Sequence, residues 1–249
     1  MSLKARIAAG EALFGSFLKT PSSIAVEVMA TSGIDLLCLD AEHAPFDRAA
    51  IDACILAGRA CGLPMIVRPS TAAHEHILNA LDCGADGVLL PHIRSADEAR
   101  AAVAAAHYGP GGRGYAGSSR AGGFGLVGME DHRAASAART IVIAQIEDLE
   151  ALEAIEAIAA VDNIDMLFVG RIDLTVALDA AGPDDPRVIA AVRHILSVAA
   201  AAGRPVGMFV PRNEDVPGWR SAGASLFLQG SDHAFMRAGG LSARKTAGF

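Results

Sequence analysis

Short apolar runs alternate with helical patterns along almost the whole chain. The runs are LFGSFL (13–18), DLLCLD (35–40), PMIVR (64–68), GVLL (87–90), IVIAQIE (141–147), DMLFVG (165–170), PVGMF (205–209) and SLFLQG (225–230). They are continuous rather than alternating, the pattern of strands covered on both faces. Helical stretches lie between them. PSSIAVEVMATSG begins on polar residues and stops at Gly33, and DRAAIDACILAGRACG opens on Asp47, a good N-cap, and stops at Gly62. SADEARAAVAAAHYG sets Ser95 and Glu98 in a capping-box relation. LEALEAIEAIAAV and PRVIAAVRHILSVAAAAG are amphipathic and rich in alanine. Eight strands alternating with helices in 249 residues predict an α/β protein, a single (β/α)8 barrel over residues 1–249. A doubly wound open sheet is the alternative with the same local signals.

One segment breaks the rhythm. YGPGGRGYAGSSRAGGFG (108–125) is rich in glycine, carries Arg113 and Arg120, and is too long for an ordinary connection. Its backbone N–H groups suit a phosphate, but no strand feeds it and no helix follows at once, so that reading stands level with a plain surface loop.

Composition narrows the class. With 52% hydrophobic residues the chain has enough for one large core, and a net charge of −7 without a basic block argues against a nucleic-acid surface. The four cysteines (Cys38, Cys54, Cys61, Cys83) form no C-x-x-C pair and read as small reduced core residues. The N-terminus lacks the apolar stretch of a signal peptide, and no run of 18 apolar residues occurs, so a cytoplasmic protein without a membrane span is expected.

Sites in such barrels lie at the C-terminal ends of the strands. The stretch LLCLDAEHAP (36–45) leaves an apolar run and delivers Asp40, Glu42 and His43; the next strand ends in Arg68. The fifth brings Gln145 and Glu147, the sixth is followed by Gly170, Arg171 and Asp173, and the eighth ends in Gln229, Gly230, Ser231 and Asp232. Each has an ordinary explanation: Glu147 and Asp148 favour a helix N-terminus, Asp173 is a possible N-cap, Arg68 a partner for a surface acid, and His43 a loop histidine. Their agreement in place points to a site. Glu147 and Asp173 are hard oxygen donors suited to Mg2+ or Mn2+ with positions left for substrate oxygens. Gln145 leaves the same strand face as Glu147. Arg68 suits a carboxylate or an oxyanion, and Asp40 with His43 reads as an orienting acid and a general base. Together these would stabilise the enolate of a 2-oxo acid. A Schiff-base aldolase needs a lysine amine, and the chain has only Lys4, Lys19 and Lys245. Lys19 alone stands at a strand end, with nothing obvious beside it to lower its pKa, so the metal-stabilised enolate is the better reading. His74 and His76, at i and i+2 on a helical stretch, do not face one metal; His107, His132, His194 and His233 lack a partner motif.

The stretches DLLCLDAEHAPFD, MIVRP, LDCGADGVLLPHIRSADEA, YGPGGRG, IAQIED and LFVGRIDLT, in that order, resemble the metal-dependent 2-oxo-acid aldolases of the HpcH/HpaI aldolase/citrate lyase family, from about Gly15 to Asp232. The resemblance implies a (β/α)8 barrel assembled as a homo-oligomer, usually a hexamer. It implies reversible cleavage of 4-hydroxy-2-oxo acids to pyruvate and an aldehyde with a divalent metal (Mg2+, Mn2+ or Co2+). Under it, Glu147 and Asp173 bind the metal, Arg68 holds the pyruvate-derived oxygen, and Gln145 supports the substrate oxygens. His43 paired with Asp40 serves proton transfer through a water. Gly170 and the N–H groups of Ile172 and Asp173 take the pyruvate carboxylate, and Asp82 completes a neighbour's site at a subunit interface. The chain departs from the family pattern at Arg171 and Thr175, at Asp148 where serine or threonine is usual, and in a 108–114 loop shorter by about one residue. Arg171 either binds a second substrate carboxylate or pairs outside the site. A CoA-ester lyase, which would draw on Arg113 and Arg120 for the cofactor's phosphates, an oxaloacetate decarboxylase and a non-enzymatic binding barrel are the other readings.

Overall fold

The computed structural model describes all residues, Met1–Phe249. Eight parallel strands close in sequence order: β1 (Leu13–Leu18), β2 (Leu36–Asp40), β3 (Met65–Arg68), β4 (Gly87–Leu90), β5 (Ile141–Ile146), β6 (Met166–Val169), β7 (Val206–Val210) and β8 (Ala224–Ser231). Pairing of β1 with β8 closes the ring and overturns the open-sheet alternative. The fold is a (β/α)8 barrel. No helix is long and apolar enough to cross a membrane.

Two cores explain the continuous apolar runs. Leu13 and Phe17, Leu36 and Cys38, Ile141 and Ile143, Met166 and Phe168, and Leu226 and Leu228 fill the barrel interior, whose N-terminal end is plugged by Leu3 and Ile7 of the helix Leu3–Ala8. The intervening residues, among them Leu37, Leu39, Val142, Ala144, Leu167 and Val169, meet the surrounding helices. Each strand therefore buries both faces, and successive side chains alternate between the two cores. The inward row has a further consequence. Continuing it from Leu36 and Cys38 gives Asp40, from Ile66 gives Arg68, and from Ile141 and Ile143 gives Gln145, so the polar residues at the strand ends point into the barrel mouth.

Of the local expectations, one is met and several are corrected. Asp47 caps the helix Arg48–Ala60, accepting the Ala50 N–H at 2.8 Å. Of the expected capping box, Ser95 accepts the Glu98 N–H at 3.1 Å, but the Glu98 carboxylate turns to the Arg94 N–H at 2.7 Å, so half the box forms. The pattern at 149–161 breaks into two short helices, Leu149–Glu153 and Ile155–Ala159. Of the four cysteines, Cys61 is exposed rather than in the core; the other three are buried. The glycine-rich segment is neither a phosphate cradle nor a free loop. Arg113 is buried in an ion pair with Asp82 and lies over the Tyr108 ring, and Arg120 forms a two-pronged pair with Asp52 at 3.0 and 2.6 Å.

The last helix, Asp232–Thr246, stands apart. Only Asp232 is buried along its 15 residues, and Phe235, Met236 and Leu241 are exposed. On the barrel, the outward side chain of Phe14 in β1 is also left partly exposed.

Candidate active site

A cavity of about 310 Å3 opens at the C-terminal end of the barrel. Phe17, Phe168 and Phe209 supply its apolar lining; Lys19, His43, Arg68, Gln145, Arg171, Asp173 and Ser231 supply its polar groups. The strand ends expected to carry the site thus do converge, and Gly170 and Ile172 line the same cavity.

On one side, Asp40 and Arg68 are in register on β2 and β3. Asp40 is fully buried, and its Oδ1 accepts from Arg68 Nε at 3.1 Å and Nη2 at 2.9 Å. Burial alone would raise the Asp40 pKa, but Arg68, Lys19 and the His43 N–H outweigh it and hold the carboxyl below its ordinary range. Burial likewise works against the charge on Arg68, yet Asp40 and Glu42 raise its pKa. Glu42 adds a contact at 3.2 Å to Arg68 Nε, and Phe17 stacks 4.5 Å from the guanidinium. Arg68 is therefore fixed before any substrate arrives.

The expected pairing of His43 with Asp40 is corrected. Asp40 Oδ1 accepts the backbone N–H of His43 at 3.1 Å, while its Oδ2 takes the Lys19 ammonium at 2.9 Å. The His43 imidazole turns outward, half exposed, with Nε2 3.6 Å from Glu42 Oε2. The physical reason is charge: the buried carboxylate is stabilised by the two cations that the neighbouring strands bring to it, Arg68 and Lys19. Lys19, in turn, is ion-paired at the cavity rather than desolvated for Schiff-base chemistry.

On the other side, β5 delivers Gln145 and Glu147. The Gln145 amide donates to Glu147 Oε2, and the His92 backbone N–H donates to Oε1 at 3.0 Å. Burial pushes the Glu147 pKa up, and the facing charge of Asp173 adds to the shift, against the two hydrogen bonds that favour the anion. Asp173 lies in the first turn of the helix Arg171–Ala177, whose N-cap is Gly170, so Asp173 is not itself the cap. A Cβ at Gly170 would sit 2.7 Å from Glu147 Oε2; glycine lets the backbone pass directly over the carboxylate.

His92, missing from the sequence-based inventory, belongs to this cluster. Its Nδ1 lies 3.0 Å from Asp148 Oδ2 and 3.5 Å from Glu147 Oε1, and Nε2 lies 3.6 Å from Glu42. Partial burial would lower its pKa, but Asp148, Glu147 and Glu42 raise it. Ligand atoms of His92, Glu147 and Asp148 fall within 4.8 Å of one another, while Asp173 is not in that group. The signal was present: His92 follows the end of β4, a strand end that the inventory passed over. Its φ of 53° turns the chain there, a conformation that costs a non-glycine residue energy. Asp148 spends its carboxylate on His92 and makes no side-chain hydrogen bond to the helix that it precedes.

Two further expected residues are held in ion pairs within the chain. Asp82 does not line the cavity; it is buried against Arg113 beneath the glycine-rich segment. The Arg171 guanidinium reaches the Pro183 carbonyl at 2.9 Å, Asp184, and Asp215 at 3.1 Å, and lies over Trp219, so it ties the loops together at the cavity wall. Arg113 and Arg120, the basic residues needed for CoA phosphates, are both engaged within the chain.

The HpcH/HpaI aldolase/citrate lyase model matches residues 13–238. The chain belongs to that family. It is 35% identical over 237 residues to a 5-keto-4-deoxy-D-glucarate aldolase of Salmonella gallinarum, covering 94% of this chain and 92% of that one. Among solved structures, an HpcH/HpaI aldolase/citrate lyase family protein from Burkholderia cenocepacia superposes with a TM-score of 0.93 at 32% identity, with 98% of each chain covered. The citrate synthase SbnG superposes with a TM-score of 0.88 at 29% identity, covering 99% of this chain and 98% of that one. As a member of the HpcH/HpaI family the chain is an enzyme, a carbon–carbon lyase of the aldolase type.

Proposed function

We propose that the protein cleaves 4-hydroxy-2-oxo acids reversibly to pyruvate and an aldehyde, with a divalent cation held by Glu147 and Asp173. The observation that carries this reading is the Glu147 carboxylate. It is buried, raised in pKa by burial and by Asp173, and overlaid by the bare backbone of Gly170 at the edge of the cavity. A buried carboxylate opposed by the charge of a second one, the exposed Asp173, wants a cation beside it. Gln145 Oε1, buried without a hydrogen-bond partner, is a further acceptor left over at the same place. The residues present therefore fit Mg2+, Mn2+ or Co2+. Such an ion would supply Lewis-acid stabilisation to the 2-oxo group.

The chain's own groups supply the rest. Arg68, held by Asp40 and Glu42, presents its guanidinium to the oxygen that gains negative charge. The first turn after Gly170 offers the N–H groups of Ile172 and Asp173 to the pyruvate carboxylate. Phe17, Phe168 and Phe209 exclude water. In the cleavage direction the C3–C4 bond breaks and its electron pair moves into the C2–C3 enolate. The C4 hydroxyl loses its proton and becomes the aldehyde carbonyl. A water relays that proton to the exposed imidazole of His43, and protonation at C3 completes pyruvate.

The same reading includes assembly as a homo-oligomer of the hexameric kind. The helix Asp232–Thr246 shows Phe235, Met236 and Leu241 to solvent, and its own barrel does not cover them. Asp82 would act at a neighbour's site only in such an assembly.

The test is pyruvate release from a panel of 4-hydroxy-2-oxo acids, before and after chelation by EDTA and on readdition of Mg2+, Mn2+ or Co2+. Full activity in EDTA would remove the metal from the scheme.

A further inference from the structure

We infer that the N-terminal face of the barrel carries an anion site, formed by Arg204, Arg220 and Ser225, that takes a phosphate-type oxyanion, free or borne by a small monoester. The inference is independent of the aldol reading and concerns the end of the barrel opposite the cavity described above.

A fourfold pattern locates the site. At the start of each even-numbered strand stands a residue with positive φ, then an apolar residue, then a polar one: Gly33-Ile34-Asp35, Gly84-Ala85-Asp86, Asn163-Ile164-Asp165 and Gly223-Ala224-Ser225. In the first three, the aspartate clamps the preceding strand. Asp35 accepts the Phe14 N–H, Asp86 that of Met65 and Asp165 that of Val142, each at 2.9 Å. The aspartate's own N–H donates to the carbonyl of the same residue at 2.8 Å. Each carboxylate also has cations near it: Arg6 at 2.7 Å from Asp35, Lys4 at 3.0 Å from Asp165, and the charges of Arg139 and Arg59 around Asp86.

The fourth corner keeps the cations and lacks the acid. Ala224 of β8 pairs with Val206 and Leu226 with Gly207, so Ser225 is the extra residue of a bulge, with a hydroxyl where the other corners have a carboxylate. Beside it lies a cavity of about 490 Å3 walled by Arg204, Arg220, Ser225, Pro205, alanines and glycines, with no Asp or Glu in its lining. Arg204 Nε and Nη2 donate to the carbonyls of Ala159 and Val161 at 3.0 Å each, which fixes the guanidinium and leaves Nη1 with both its hydrogens. Arg220 is exposed. Three helices end at this cavity, Leu3–Ala8, Pro186–Ala201 and Val216–Ser221, and their dipoles set partial negative charge there. The N–H groups of Gly10, Gly203 and Gly223 take the carbonyls of Ile7, Ala200 and Arg220 at 2.9, 3.1 and 3.0 Å, so these carbonyls leave the guanidinium groups free for a ligand. Two full positive charges without an acid, on a chain of net charge −7, select an anion. Phosphate oxygens match the donor fork of arginine, and the Ser225 hydroxyl adds a further donor. An oxyanion held there replaces the missing fourth carboxylate and ties β7 to β8. Because only the folded chain forms the site, its ligand raises Tm.

The experiment reads Tm and calorimetric binding in phosphate against chloride at equal ionic strength, so that screening is held constant. Inorganic phosphate, glycerol 3-phosphate or both should raise Tm, and acetate should not; a rise with one of the two phosphates alone identifies the free ion or the monoester as the ligand. Arg220→Gln touches no core residue. It should weaken phosphate binding at least ten-fold and leave turnover unchanged. Ser225→Asp supplies the fourth carboxylate, so it should raise Tm in chloride and abolish the response to phosphate. No rise in Tm with either phosphate overturns the inference and leaves the arginines as partners of helix ends. Undiminished phosphate binding in Arg220→Gln also overturns it, because the anion then sits elsewhere, as at the barrel mouth.

Discussion

Asp40 and Arg68 sit side by side on neighbouring strands, in register, joined through Nε and Nη2 at 3.1 and 2.9 Å with no solvent on the carboxylate. The pair fixes the arginine that faces the substrate and lets a buried acid stay charged.

Asp40→Asn removes the negative partner of both Arg68 and Lys19. Breaking a buried pair from one side costs about 3–5 kcal/mol, so the midpoint of urea unfolding should drop accordingly. The sign with pH follows from the lowered carboxyl pKa. The stabilisation from Asp40 is present above the ordinary aspartate range and is lost as the pH falls through the folded value. The wild-type protein should lose stability at acid pH more steeply than Asp40→Asn.

Glu147→Gln should do the opposite to the metal-free protein. The raised pKa means that the charged form is disfavoured by folding, so a neutral side chain relieves a cost at neutral pH. The metal-free variant should melt no lower than the metal-free wild type, and addition of Mn2+ should raise Tm in the wild type alone. Protons compete for the same oxygens, so the wild-type affinity for Mn2+, measured by calorimetry, should fall at pH values still above the ordinary glutamate range.

Gly170→Ala places a methyl group 2.7 Å from Glu147 Oε2. Overpacking of this kind costs about 1–3 kcal/mol, and here the displaced atom is a proposed metal ligand. Metal affinity should weaken by roughly ten-fold or more, since ~1.4 kcal/mol corresponds to a factor of ten. A Kd within two-fold of the wild type would detach Glu147 from the metal.

Arg171→Met tests the reassignment of that residue. Its guanidinium is buried, but Asp184 is largely solvent-exposed, so water repays part of the lost pairing. The expected loss is about 2 kcal/mol, below the full cost of breaking a buried pair. Stability should respond far more than the KM for a dicarboxylic substrate. A large rise in KM with normal unfolding would show the guanidinium holding substrate rather than the loops.

The sequence by itself determined the eight doubly buried strands alternating with helices and the neighbourhood of the site, while closure of β1 on β8 was decided by the tertiary structure. Continuous apolar runs report strands buried on both faces, and the period of two along β2, β3 and β5 already aims Asp40, Arg68 and Gln145 inward. Local information stops where a strand ends. Only the tertiary structure decided that Asp40 meets Lys19 rather than the His43 ring, because the parallel pairing of β1 with β2 brings their ends together. Only it turned His92, through a left-handed backbone, onto Glu147 and Asp148, and committed the Arg171 guanidinium at the cavity wall to Asp184 and Asp215. Charged side chains beyond a strand end settle on whichever opposite charge the fold brings within reach, and in this chain those partners come from distant segments.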